Sequence, residues 1–402
     1  MAATTGSPFS AADAALGYLY QVRVGLLWAL RRLKRGSDFL VSIEVLDDVA
    51  LETVGGDAAE LLQTKHHRAR ESSLTNASAD LWKSLRVWFE TLPAAGLGTT
   101  LYLLTTAKAP PGSIAAQLRI EERNVEAALQ ALEATAQTSQ SAANAPAYAV
   151  FLAAPAVVRR RLVDSIVVID GVPTVLELGE QLRSEVFWAV ERSHQEAFLE
   201  RLEGWWFRRV LKHLSSHGQV DRILATEIEA QMSDLRDQFK QDALPIDDDL
   251  LEFELDEATH AAHSESTFVR QLEIAKAGRK RIAAGVRDYY RAFEQRSRWI
   301  RDDLLLVGDL DKYERRLCEQ WELIFEAVRD ELGDQAAEDA KRSAALQVLK
   351  WAETVLIPIR PSVTEPFITR GSFHMLADDL RVGWHPEFQQ LLSKLLIGET
   401  VE

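Results

Sequence analysis

The 402-residue chain has one cysteine, Cys318, and only three methionines. A single thiol excludes a disulfide framework and every multi-cysteine zinc or iron–sulfur site. Long apolar runs are also missing: nothing approaches the roughly 18 consecutive apolar residues that a membrane span needs. The opening MAATTGSPFSAADAALGYLY has no positive stretch followed by a long apolar core, so no signal peptide is read there. These absences predict a cytoplasmic protein with no membrane partner. Positive charge is short as well, with 46 Lys and Arg against 61 Asp and Glu, for a net charge of −15. That balance disfavours bulk attraction to nucleic acid, which needs a basic surface to displace counterions. Hydrophobic residues, at 47%, are ample for a sizeable core, and the length predicts roughly two or three domains.

The deficit of positive charge is uneven. Residues 1–220 hold 22 Lys and Arg against 24 Asp and Glu, a difference of −2; residues 221–402 hold 24 against 37, a difference of −13. The acid is densest at Asp247-Asp248-Asp249, followed by Glu252, Glu254, Asp256 and Glu257, and reads as a solvated linker or loop. The near-neutral first half can meet a polyanion locally, whereas the acidic second half is not expected to.

Hydrophobic spacing predicts a helix over 11–33 with Ser10 as N-cap, ended by Gly36-Ser37-Asp38. Alternation then predicts a strand over 39–45, with Phe39, Val41, Ile43 and Val45 on one face and Ser42 and Glu44 on the other. Further strands are expected over 48–52 and 60–66, joined by the turn Gly55-Gly56-Asp57, then a helix over 80–92 and strands over 100–106 and 165–170. This order predicts an α/β N-terminal domain, a central mixed sheet flanked by helices. Helical periodicity dominates from residue 178, with long helices expected over 221–241, 265–297, 310–332 and 335–356, so the C-terminal domain is expected to be all-α. A boundary near Ser215-Ser216-His217-Gly218 gives domains 1–215 and 216–402. His374 and His385 read as packed or capping histidines.

The residues that carry chemistry are Glu44, Asp47, Asp48, Gln63 and Lys65. Phosphodiester hydrolysis must neutralise charge on the phosphorane oxygens and generate hydroxide at neutral pH. A divalent ion held by one or two carboxylates does both, and a nearby lysine steadies the oxyanion or helps to deprotonate the water. Strand alternation sends Gln63 and Lys65 to the same side, and Asp48, at the start of the preceding strand, can lie opposite them. Cations follow at once in Lys65, His66, His67, Arg68 and Arg70, where a phosphate backbone would pass. Lys83, Arg86, Arg159-Arg160-Arg161 and Arg208-Arg209 are further candidates, the last two sets reading more simply as solvated helix faces.

This arrangement resembles the PD-(D/E)XK (restriction-endonuclease-like) superfamily. GYLYQ at 17–21, EVLDDVALE at 44–52 and LLQTKHH at 61–67 resemble the endonuclease domain of CD-NTase-associated antiphage effectors, in which Gln-x-Lys stands on the third strand. The resemblance implies Mg2+ (or Mn2+) held by Asp48, or by Asp47 in its place, with Gln63 completing the shell and Lys65 as catalytic lysine. Glu44 would support a metal or a water, and Gln21 would position groups from the first helix. GSFHMLADDLRVGWHPEF at 371–388, with Trp321, Trp351 and Arg360-Pro361 ahead of it, resembles the C-terminal domain of bacterial ABC-three-component defence systems, including Lamassu-type ones. That resemblance implies a docking and control module whose partners are an SMC-like ATPase subunit and a small third subunit.

The expectation is a metal-dependent endonuclease for double-stranded DNA in an antiphage system. It is held inactive in a complex, and it self-associates because cutting both strands needs two sites. Two alternatives stand beside it: a catalytically inactive nuclease-like adaptor that binds DNA, suggested by Gln63 in place of an acid, and an endonuclease gated by a cyclic oligonucleotide. The helical second half speaks against the latter.

Overall fold

A computed structural model of the chain describes residues 12–66, 72–91, 98–121, 123–216, 221–333 and 335–397. They fall into two compact units, Met1–Asp234 and Leu235–Glu402. The first unit opens with α1 (Ala12–Leu33), a meander of β1 (Phe39–Ile43), β2 (Val49–Thr53) and β3 (Ala58–Lys65), then α2 (Ala79–Thr91) and β4 (Thr100–Thr105). Next come α3 (Ile114–Gln117), α4 (Val125–Thr138), α5 (Ala145–Ala153) and α6 (Ala156–Ser165). The unit closes with β5 (Ile166–Asp170), α7 (Leu178–Glu185), α8 (Gln195–Ser215) and β6 (Ile223–Leu224), after which α9 (Ala225–Gln238) runs across the division.

Among the described residues the strands form one six-stranded mixed sheet in the order β5-β4-β3-β2-β1-β6. The meander is antiparallel, with Ile43 opposite Val49 and Val49 opposite Leu62. β3, β4 and β5 run parallel, with Gln63 beside Leu103 and Lys65 beside Thr105. Alternation along β3 and β4 gives each face its own helices. Leu61, Leu101 and Leu103 pack with Leu81, Trp82, Leu85 and Trp88 of α2 and with Tyr148 and Phe151 of α5. On the other face, Tyr102 meets Trp28 of α1 edge-on, with ring centroids 5.6 Å apart. α1 also packs on α7 and α8, and the Trp206 indole N–H of α8 donates to Val22 O at 2.7 Å. Burying each such large side chain stabilises the unit by about 1.5–3 kcal/mol.

The expected elements are present, and the differences have local causes. β1 ends at Ile43 rather than Val45, because Glu44 turns the chain with a left-handed φ of 56°. Ser42 does not face solvent. It is fully buried and donates to Glu52 Oε1 at 2.6 Å, because β1 is an interior strand covered on both faces. Glu52 is itself fully buried and pairs through Oε2 with Arg222 Nε at 2.6 Å. This ion pair lies beside the pairing of β6 onto β1, Val41 opposite Ile223. The first unit therefore extends past residue 215.

The second unit contains α10 (Asp248–Leu251), α11 (Glu257–Ala262), α12 (Thr267–Ile274), α13 (Arg279–Arg301), α14 (Asp309–Leu332), α15 (Glu338–Thr354), α16 (Pro366–Asp378) and α17 (Phe388–Ile397). The single helix expected over 265–297 is two, α12 and α13, broken where Lys276 takes a φ of 55°. Gly371 and its neighbours belong to α16, which packs closely on α13. A Cβ at Gly371 would lie 2.0 Å from Asp288 O and 2.4 Å from Ala292 Cβ, so glycine lets the two backbones touch. No helix among the described residues is long and apolar enough to cross a membrane.

His374 of α16 sits between Phe268 and Trp384, at ring-centroid distances of 5.5 and 5.8 Å. Burial holds its pKa down to about 4, with Arg370 adding to the effect and Asp288 opposing it. The native state therefore keeps a neutral imidazole where the unfolded chain, with the ordinary value of 6.5, binds a proton. The contribution of His374 to stability is full above pH 6.5 and falls as the pH drops towards about 4, by about 3 kcal/mol. Urea denaturation across this range should show that loss in the wild type, and His374→Gln should remove it.

Candidate functional site

The turn after β1 builds the site. Glu44, in its left-handed conformation, donates its N–H to Asp48 O at 3.2 Å and closes a tight loop. The loop presents Asp47 and Asp48 towards different neighbours. The Asp47 carboxylate is buried (7% exposed) and meets the α2 side of the sheet. Its Oδ2 accepts the Trp88 indole N–H at 2.8 Å, and its Oδ1 accepts the Asp48 N–H at 2.9 Å and the Gln63 amide N–H. Asp48 instead turns to Thr64: its Oδ2 accepts the Thr64 N–H at 2.7 Å and the Thr64 hydroxyl at 3.0 Å.

Gln63 is the bridge. Its side chain donates to Asp47, while its Oε1 accepts from Lys65 Nζ at 2.8 Å and from the Ser84 hydroxyl at 3.5 Å. An amide has both a donor and an acceptor end, so it can join a carboxylate to an ammonium; a glutamate here would set two carboxylates against each other. Strand alternation thus brings Gln63 and Lys65 together as expected. The acid that Gln63 meets directly is Asp47, and Lys65 reaches it only through Gln63, whereas Asp48 is fastened to the residue between them.

Electrostatics tie the remaining residues in. Burial raises the Glu44 pKa, Asp48 and Asp47 raise it further, and a hydrogen bond from Gln21 together with Lys65 opposes them. Burial also raises the Asp47 pKa, with a smaller push from Asp48, against the lowering effect of Trp88, Gln63 and the Asp48 N–H. Tyr18 on α1 is raised by burial and by Glu44. Glu44, Asp47 and Asp48 therefore repel one another, and Lys65 is close enough to Glu44 to offset part of this.

Among the expected cations, His66 is half-buried, with its ring 5.1 Å from that of Tyr20 and its Nε2 accepting the Val175 N–H at 3.4 Å. His67, Arg68 and Arg70 lie outside the described residues. Arg86 pairs with Glu90 and Arg160 with Glu126, and Arg209 is enclosed between Asp221 and Glu227 as part of the fold.

The sequence alone assigned no role to Trp88, Ser84 or Thr64. A buried indole N–H needs an acceptor, which is the one signal in the sequence that Trp88 has a polar partner. Nothing in the sequence marks Ser84 or Thr64.

Residues 268–392 match the family model of C-terminal domain 7 of the ABC-three component (ABC-3C) systems. Over these residues the second unit is similar to an ABC-3C C-terminal domain. The matched segment takes in α12 to α16 and the buried His374 and His385. It implies partners in a multi-subunit system. No curated protein and no solved structure matches the chain.

Trp88→Phe keeps the ring and removes one donor from the buried Asp47 carboxylate. It should destabilise the protein by about 1–3 kcal/mol at neutral pH. Because a raised acid is most costly when ionised, the penalty should shrink as the pH falls through the Asp47 pKa into the carboxylate range. Urea denaturation of wild type and variant at neutral and acid pH measures both effects.

Proposed function

We propose that the chain is the nuclease component of an ABC-three-component antiphage system, with the first unit cutting double-stranded DNA and the second docking and controlling it. The observation that carries the reading is the hydrogen-bonded series Asp47–Gln63–Lys65, with Glu44 and Asp48 electrostatically coupled to it. It stands on the helix, three strands, helix, strand order of the resembled nuclease superfamily.

The donor set suits a hard divalent cation. It offers carboxylates and an amide oxygen with no thiolate, and its mutually repelling acids gain from a positive charge between them. Among the described residues no three His, Cys, Asp or Glu side chains form a ready-made metal cage. That accords with Mg2+, which keeps several waters and takes only one or two carboxylates. One or two of Asp47, Asp48 and Glu44, with Gln63 Oε1, are the groups that would hold Mg2+ or Mn2+. A bound ion supplies Lewis-acid charge neutralisation and a more acidic water.

The chain's own groups do the rest. Trp88 and the Asp48 N–H fix the Asp47 carboxylate, and Gln63 aims Lys65 Nζ, whose charge meets the non-bridging phosphate oxygens. Gln21 steadies Glu44 at the edge of the site, where a carboxylate can orient water. Self-association supplies the second active site that cutting both strands requires. An SMC-like ATPase and a small third subunit are the proposed partners that hold the nuclease at rest. One observation favours the adaptor alternative: the Gln63 amide already occupies the Asp47 carboxylate.

The test is cleavage of linear and circular duplex DNA by purified full-length protein with Mg2+ or Mn2+, alone and with its partners. Lys65→Ala should lower the rate about 100-fold or more while leaving the far-ultraviolet circular dichroism unchanged. Undiminished cutting by this variant would show that the site is wrong. A wild type that binds DNA and cuts in no assembly state would establish the adaptor.

A further inference from the structure

Two cavities lie along α13 in the second unit, of about 650 and 280 Å3, and they share Ala284 and Arg287. The larger is walled by Leu251, Phe253, Leu255 and Ala283, with Lys280 and Arg291 beside them. The smaller is lined by Gly285, Asp288 and His374, with Arg281, Arg370 and Glu353 around them.

The polar groups here are incompletely satisfied. Arg287 Nε, Asp288 Oδ1, Arg291 Nε and His374 Nδ1 are all buried without a hydrogen-bond partner. Arg287 Nε and Asp288 Oδ1 face each other at 3.5 Å, an ion-pair separation without hydrogen-bond geometry. Asp288 and His374 are 4% and 5% exposed, so both belong to a built interior and not to a ragged surface. Buried polar atoms left without partners are costly, and several at one place mark a position that something else completes.

The charges are as uneven as the hydrogen bonds. In the smaller cavity Arg281 holds Glu353 at 2.7 and 3.0 Å, and Arg370 holds Asp288 Oδ2 at 2.6 Å. Arg287 is the cation in excess. The larger cavity sets Lys280, Arg287 and Arg291 against Glu252 and Glu254 and is again one cation in excess. This cationic pocket stands in the half of the chain that carries −13. His374 adds no charge, because burial keeps it neutral at physiological pH.

We propose that the paired cavities seat an acidic peptide segment of a partner component, with a carboxylate against Arg287 and a neighbouring apolar side chain in the larger cavity. One excess cation matches one carboxylate. A phosphate dianion would overshoot it and face Asp288 and Glu353. A peptide also brings a backbone N–H, which is what Asp288 Oδ1 lacks and phosphate cannot supply. The ABC-3C match puts other protein components on hand, and the aliphatic and aromatic walls of the larger cavity fit a leucine-sized side chain. The proposal does not depend on the nuclease reading.

The test is fluorescence anisotropy of the full-length protein with a labelled peptide of alternating leucine and aspartate. Its asparagine counterpart, inorganic phosphate and AMP serve as competitors. Saturable binding is expected, competed by unlabelled acidic peptide alone. Arg287→Ala should weaken it about tenfold and Arg287→Lys less, with melting temperatures unchanged. Ala284→Leu obstructs both cavities without altering charge and should weaken binding too, so the outcome does not hang on one variant folding. The proposal is overturned if the acidic peptide does not bind, if the asparagine peptide competes equally, or if phosphate or AMP displaces the peptide. Binding that both variants leave intact overturns it as well.

Discussion

The buried Asp47 carboxylate joins the three pieces of the first unit that must meet for any chemistry to occur there. Its oxygens take the indole N–H of α2, the amide of Gln63 on β3 and a backbone N–H of its own turn. A carboxylate removed from water is tolerable only with such donors. Removing any one of them loosens both the acid and the element that supplies the donor. Through Gln63 the same network reaches Lys65, so the position of the lysine depends on a carboxylate from the turn before β2. The candidate chemistry therefore rests on this one network.

Much of this was legible in the sequence, for reasons that can be named. The pairing of Gln63 with Lys65 follows from the two-residue period of a strand, and the α/β order follows from the change of hydrophobic period along the chain. Alternation failed where backbone conformation departed from the strand, at Glu44, and it could not say that Ser42 would find a buried partner in Glu52. The meeting of Asp47 with Gln63 was not legible beyond the statement that one of two adjacent aspartates would serve. A turn decides which of them faces α2, and its left-handed residue is a glutamate, which does not announce such a conformation. The break between α12 and α13 escaped notice for the same reason at Lys276.

The charge sum of −15 disfavours bulk attraction to nucleic acid, and its distribution confines that argument to the second half. The near-neutral half holds Lys65 and the acids coupled to it, while the acidic half holds the segment similar to an ABC-3C domain. Within that acidic half the cationic cavities along α13 repeat the lesson at smaller scale. Net charge constrains a whole surface, whereas recognition depends on where a few unneutralised groups are held.

The proposed divalent-cation site beside Lys65, drawn from Glu44, Asp47, Asp48 and Gln63, is probed by Mn2+ binding to the full-length protein, followed by electron paramagnetic resonance. The account predicts saturable binding that Mg2+ displaces, weakened about 10–100-fold by Asp47→Asn with the fold retained. A wild type with no saturable binding, or an Asp47→Asn variant that binds Mn2+ as tightly as the wild type, would contradict it.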